Sequence, residues 1–231
     1  MSVQEAALLL GVSTKTIYRW VGEGRIPSYR VAKQHRFDRT ELMEWATSQR
    51  MAYQPAVAPG PSHQGESFQP LDQALAEGGI HYRVEGGTRQ EVLRSALAVT
   101  FPADPAERER LYLALEARET LASTSIGDGI ALPHPRNPIQ FELRRPIASL
   151  CFLEREVDWR APDRRPVSVL IIVAGGTVRG VLQLHSHTLF ALRDPALSRV
   201  LAERGSREEI LAEARRVARD LASPDAEYAA P

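Results

Sequence analysis

The chain of 231 residues carries 29 basic and 29 acidic side chains and is 43% hydrophobic. That suits a globular protein with a real core, built as one large domain or as a small and a medium one. Its one cysteine, Cys151, lies in an apolar run, which excludes an internal disulfide and a cysteine-held zinc and predicts a buried strand thiol. The sequence shows no basic-then-apolar leader and no apolar stretch of membrane-spanning length, so a cytoplasmic protein without membrane insertion is expected.

Charge is unevenly spread. Residues 1–50 hold eight basic and five acidic side chains, a net +3 that residues 51–231 balance with −3, and both lysines of the chain fall in this first segment. A local positive excess points to an anionic partner, although a solvated surface has the same composition.

The predicted elements begin with a helix over residues 3–10, whose apolar face is Val3, Ala6, Ala7 and Leu10. Gly11 ends it, because a tight turn needs the left-handed conformation that glycine tolerates. Ser13 caps a second helix over 14–23 with Ile17, Trp20 and Val21 inward, and Gly24 stops it. Two short extended arms flank Ala32-Lys33-Gln34. Thr40 is expected to cap a third helix over 41–48 with Leu42 and Trp45 inward. Residues 51–70 lose periodicity and gather Pro, Gly, Ser and Gln, which reads as a linker.

Residues 71–223 read as a second domain. Helical spacing covers 88–99, 105–119, 180–193, 195–203 and 206–221, the last opened by a capping-box pattern at Ser206 to Glu209. Residues 147–153 and 167–173 are strand-like. Helices alternating with apolar strands predict an α/β domain, and residues 224–231 read as a disordered tail.

Two sites stand out chemically. In the head, two short helices joined by a glycine turn are what is needed to set the second helix in a DNA major groove. Its outer face carries Thr14, Lys15, Thr16, Tyr18 and Arg19, which offer donors, acceptors and cations to phosphates and base edges. Lys33, His35 and Arg36 on the arms are placed to grip backbone phosphate. A protein-binding three-helix unit with a solvated basic face would have the same spacing.

In the second domain the site is His134, at the end of Ser123-Thr124-Ser125-Ile126-Gly127-Asp128-Gly129-Ile130-Ala131-Leu132-Pro133-His134. Gly127 and Gly129 permit tight turns whose N–H groups suit an anion, and Ser123 and Thr124 add hydroxyls. A neutral imidazole is a competent nucleophile near neutral pH, and phosphoryl acceptance needs positioning and a cation, with no metal required. Arg118, at the end of a predicted helix, is the cation candidate. A glycine-rich turn with an incidental histidine is the alternative.

The residues also carry two family resemblances. The run from Val3 to Trp20, with Gly24-Arg25-Ile26-Pro27 and Arg36-Phe37, resembles the excisionase-type winged helix-turn-helix of the wider MerR-like group. It implies DNA binding by residues 1–50, and a homodimer is compatible with so short a head. Arg118-Glu119, Ser123-Thr124, Ile126-Gly127, Gly129-Ile130-Ala131 and Leu132-Pro133-His134 resemble the active-site segment of fructose/mannitol-type IIA domains of the bacterial sugar phosphotransferase system, including their nitrogen-regulatory relatives. This implies an α/β sandwich around a mixed central sheet, and a phosphohistidine carrier rather than a stand-alone enzyme. His134 would take phosphate from a histidine-phosphocarrier protein, Arg118 would match the family's active-site arginine, and no cofactor is implied.

One departure qualifies the second resemblance. The family's second histidine, which opens the helix after the last core strand, falls by count on Val181, with His185 one turn further on. A register slip would restore His185 to the role; without it, onward passage of phosphate is in doubt. The combination predicts a phosphorylation-responsive DNA-binding regulator. The alternatives are a transport subunit passing phosphate to a IIB partner and a module that regulates target proteins by contact.

Overall fold

A computed structural model describes residues 1–49, 51, 69–100, 104–135 and 143–222. Most of the linker expected over 51–70, with His63, and all of the tail expected over 224–231 lie outside the described residues.

Backbone demands set the layout of the head. Helix α1, Val3–Leu9, opens on a Ser2/Glu5 capping box and closes at Gly11, whose φ of 63° is the left-handed turn expected there. Helix α2, Thr14–Gly22, is capped by Ser13 and buries Ile17 and Trp20. Strands β1, Tyr29–Val31, and β2, Gln34–Arg36, pair antiparallel. The two arms are therefore a hairpin wing, with Ala32 and Lys33 at φ 47° and 66°, the paired positive φ of a type I′ turn.

Helix α3, Arg39–Ser48, differs from expectation at its start. Asp38 Oδ1 accepts from the backbone N–H groups of Thr40 and Glu41, so aspartate is the cap and Thr40 lies inside the helix, buried. Leu42 and Ala46 are fully buried, and Trp45 packs on Trp20 at 5.4 Å between ring centroids. Met43 and Glu44 are buried as well, because α3 has a second face in contact with the rest of the chain.

Among the described residues the larger unit is built on a five-stranded sheet in the order β3-β6-β7-β5-β4. These strands are β3, Ile80–Val84; β4, Ser125–Gly127; β5, Ile130–Ala131; β6, Ile147–Val157; and β7, Val167–Ala174. β3 with β6 and β5 with β7 are parallel, while β6 with β7 and β4 with β5 are antiparallel, so the sheet is mixed as expected.

Side chains alternate across it with the period of two that a strand imposes. Leu150, Phe152, Val169, Ile171 and Val173 face one core, under α4 (Leu71–Gly78), α7 (Val178–Ala191), α8 (Pro195–Ala202) and α9 (Arg207–Ala222). Cys151, Leu153, Leu170 and Ile172 face the other, under α5 (Arg89–Thr100) and α6 (Pro105–Leu121). Three layers result, with apolar β6 and β7 in the middle. The head joins the first of these cores, where α3 packs on α7 and β4.

Candidate functional site

His134 follows β5 directly, and a relay of short contacts fixes it. The Thr124 hydroxyl donates to the Glu119 carboxylate, whose other oxygen accepts the Thr124 N–H at 3.2 Å. The Thr124 carbonyl then accepts the Leu132 N–H at 3.1 Å, and His134 Nδ1 lies 3.0 Å from the Leu132 carbonyl. An N–H on Nδ1 donated to that carbonyl makes Nε2 the nitrogen with a free lone pair when the ring is neutral. Burial pushes the Glu119 carboxyl up, so Glu119 is a shielded anchor, held by hydrogen bonds from Thr124 and by the Arg89 guanidinium at 3.9 Å.

Arg118 ends helix α6 and is 4% exposed. One guanidinium nitrogen donates to the Ala122 carbonyl at 2.8 Å, which turns the other inward. His185, 2% exposed, comes from α7. Its ring centroid is 4.8 Å from that of His134, with the planes at 65°. Val181 is buried and lines the same small space. Residues four apart lie on one helix face, so the stripe that carries Val181 in the first turn presents His185 one turn on, without any register slip.

Arg118, His134 and His185 are thus brought together. Ser123 lines a neighbouring cavity with Arg118 and Glu44 but not with His134, and Thr124 and the two glycines line neither. Ser123 Oγ donates to the Trp159 carbonyl, and Thr124 serves Glu119. Gly127, Asp128 and Gly129, all at positive φ, make the turn between β4 and β5, where the Asp128 N–H donates to the Asp163 carboxylate. Gly127 lines a separate pocket beside Arg165 and Arg199. Gly129 lies five residues before His134 along an extended segment, roughly 16 Å at full extension. The positive φ of both glycines serves the hairpin turn between β4 and β5.

The member that sequence reasoning missed is Glu44, from α3 of the head. Its Oε2 accepts from Arg118 at 3.2 Å, and its Oε1 lies 2.9 Å from His134 Nδ1 and 3.5 Å from His185 Nε2. Nδ1 of His134 lies within reach of both the Leu132 carbonyl at 3.0 Å and Glu44 Oε1 at 2.9 Å, so the two oxygens share its one N–H. Both ring nitrogens of His185 lack a hydrogen-bond partner.

The charges are strongly coupled. Burial pushes the Glu44 carboxyl up, but the two histidines overcome it and hold it down at about 2. Burial alone would lower His134, yet the Glu44 carboxylate and the Leu132 carbonyl raise it above its ordinary value. His185 is lowered by burial, which favours its neutral form. Glu44, His134 and His185 offer one ligand atom each within 4.8 Å of one another, a spacing open to a metal ion. The Arg118 guanidinium on the same carboxylate already supplies the cation, which disfavours one.

On the head, Thr14, Lys15, Tyr18 and Arg19 are exposed on α2, and Lys33 and Arg36 on the wing. Thr16 differs, as its hydroxyl is held 3.0 Å from Ser13 Oγ at the helix cap. Tyr18 meets His35 edge-on at 6.3 Å, joining helix and wing into one surface. Docking through α3 leaves that surface open. No helix among the described residues is long and apolar enough to cross a membrane.

The family model described as "Helix-turn-helix domain" matches residues 1–50. The one described as "Phosphoenolpyruvate-dependent sugar phosphotransferase system, EIIA 2" matches residues 73–214. A nitrogen regulatory protein of Pseudomonas aeruginosa is 34% identical over 104 residues, covering 45% of this chain and 66% of that protein. The nitrogen regulatory protein of Escherichia coli K12 is 30% identical over 102 residues, covering 43% and 61%. The chain therefore spans less than two thirds of these relatives.

Two solved structures share the fold. Nitrogen regulatory protein IIA-Ntr from Neisseria meningitidis has a TM-score of 0.50 at 23% identity, covering 60% of this chain and 94% of its own. A putative IIA domain from Streptococcus pyogenes has a TM-score of 0.50 at 21% identity, covering 64% and 96%. The matched segment 73–214 takes in more than half of the chain together with Arg118, His134 and His185, and the chain belongs to the EIIA 2 family of the phosphoenolpyruvate-dependent sugar phosphotransferase system, with a helix-turn-helix domain at its N-terminus.

Proposed function

We propose that this protein is a phosphorylation-responsive DNA-binding regulator, with a head of residues 1–50 and a phosphoryl-accepting domain of residues 71–223. A single observation carries the assignment: Arg118, His134 and His185 converge in one pocket, with Nδ1 of His134 tied to a backbone carbonyl. Nε2 of His134 attacks the phosphorus of a phosphohistidine on a phosphocarrier protein. The donor's N–P bond breaks as the new one forms, and its electron pair returns to the donor ring. The positive charge gained by the His134 ring is stabilised through Nδ1–H at the Leu132 carbonyl, and Arg118 balances the phosphoryl oxygens.

The exposed face of Lys15, Tyr18, Arg19, Lys33 and Arg36 would bind DNA, where paired heads of a homodimer would bind more tightly than one. The nitrogen regulatory relatives suggest a nitrogen or carbon signal as the input. Onward transfer would go to a IIB protein or a regulated target.

The test is incubation with phosphoenolpyruvate, the general phosphotransferase enzyme and the phosphocarrier. Acid-labile phosphate is expected on the intact chain and absent from His134→Ala. Equal labelling of both proteins, or of neither, contradicts the assignment. DNA affinity measured in both states tests the coupling, and equal affinities contradict it.

A further inference from the structure

We infer that the pocket around His134 is also the docking site of the head's own third helix, with the Glu44 carboxylate standing where an incoming phosphoryl group must go, so that head and phosphoryl donor compete. The competition rests on the proposed acceptor role of His134; the docking itself does not.

Four observations carry it. Glu44 touches all three groups an anion would use: Arg118 at 3.2 Å, His134 at 2.9 Å and His185 at 3.5 Å. The space left among Asp38, Thr40, Glu41, Arg118, His134, Val181 and His185 is about 20 Å³, room for about one water. A phosphoryl group of four heavy atoms does not fit beside His134 while Glu44 stays, and the cavity of about 470 Å³ lined by Glu44, Arg118 and Ser123 does not include His134. The contact is also built: Thr40, Met43 and Glu44 on α3 are each 8% exposed or less, and α3 packs on α7 and β4. Lastly, the docked state is incompletely satisfied, because Glu44 Oε1 shares one N–H with the Leu132 carbonyl and neither His185 nitrogen makes a hydrogen bond. A phosphoryl group, with three acceptor oxygens, offers His185 and Arg118 partners that a carboxylate does not.

Glu44 also raises the His134 imidazole, which favours the protonated ring, and a protonated ring has no nucleophilic lone pair. Undocking therefore opens the space and frees the nucleophile together. Seventeen residues separate Met51 from Gln69, a tether of up to about 60 Å. A released head stays on the same chain at high effective concentration.

The test uses the full chain and two variants, Glu44→Ala and the isosteric Glu44→Gln. Diethylpyrocarbonate, which acylates accessible neutral imidazole, is followed at each histidine by peptide mass spectrometry, and His81 on β3 is the internal reference for an intact fold. Removing one partner from a buried ion cluster shifts the docking equilibrium on the order of a hundredfold. His134 should therefore be acylated about tenfold faster or more in both variants, with the rate at His81 unchanged. Phosphoryl transfer from the phosphocarrier should accelerate in parallel. Equal acylation of His134 in wild type and Glu44→Gln overturns the docking claim. Faster acylation of His134 together with faster amide hydrogen exchange over α3, with no phosphoryl uptake by any form, supports docking and removes the acceptor role. Faster acylation with unchanged transfer rates overturns the competition.

Discussion

Replacing Glu44 by glutamine removes one negative charge and almost no volume, so its effect isolates the ion cluster. Arg118 on α6, His134 after β5 and His185 on α7 face the carboxylate, while Asp38 and Glu41 flank it on the head. Its carboxyl is held at about 2 against an ordinary 4.5. At about 1.4 kcal/mol per unit, the ionised form contributes about 3 kcal/mol to the docked state.

The sign follows from the direction of each shift. A depressed carboxyl contributes stability that is present above its unfolded value of 4.5 and lost as pH falls toward about 2. A raised imidazole contributes stability that is present below its unfolded value of 6.5 and lost as pH rises through the folded value. Wild-type stability minus that of Glu44→Gln should therefore peak between those two values. Urea unfolding across pH, followed by circular dichroism, measures it. A difference of about 3 kcal/mol near pH 5.5 that shrinks toward pH 3 is expected. A difference that is flat over this range, or below about 1 kcal/mol at its peak, refutes the electrostatic reasoning.

Other expectations follow from single features. The Cys151 thiol is fully buried and pushed up to about 12, so iodoacetamide should leave it unmodified in the native protein at pH 8 and alkylate it in urea; rapid native alkylation contradicts the burial. Leu150→Ala, in the middle of β6 with 1% exposure, should cost about 3 kcal/mol in urea unfolding, and a cost under about 1 kcal/mol contradicts the central place of β6. Lys15→Ala with Arg19→Ala, both on the exposed face of α2, should lower the salt slope of binding to random-sequence duplex DNA by about 2; an unchanged slope removes α2 from the interface.

Much of this molecule is legible in its sequence, for identifiable reasons. Gly11, Ser13 and Gly24 mark helix ends through local backbone rules, and the apolar runs of β6 and β7 announce a sheet covered on both faces. β3 went unread because its middle residues, His81, Tyr82 and Arg83, are only partly buried or exposed at the sheet edge. The glycines of Gly127-Asp128-Gly129 fit an anion loop and a hairpin turn equally well as a string, and only the pairing of β4 with β5 shows the turn. Counting along a motif favours Val181 over His185, whereas the helix face carries both. Glu44 left no signal at all: its partner Arg118 is 74 positions away, across the linker, and nothing local distinguishes it from a solvated helix carboxylate.

The most direct test of the central claim, that phosphate on His134 and the docked head exclude each other, is amide hydrogen exchange across α3 before and after stoichiometric phosphorylation. Faster exchange over α3 and the surface of α7 that it covers is expected once His134 is phosphorylated, with no such change in His134→Ala treated identically. Unchanged protection of α3 in a fully phosphorylated chain would contradict it.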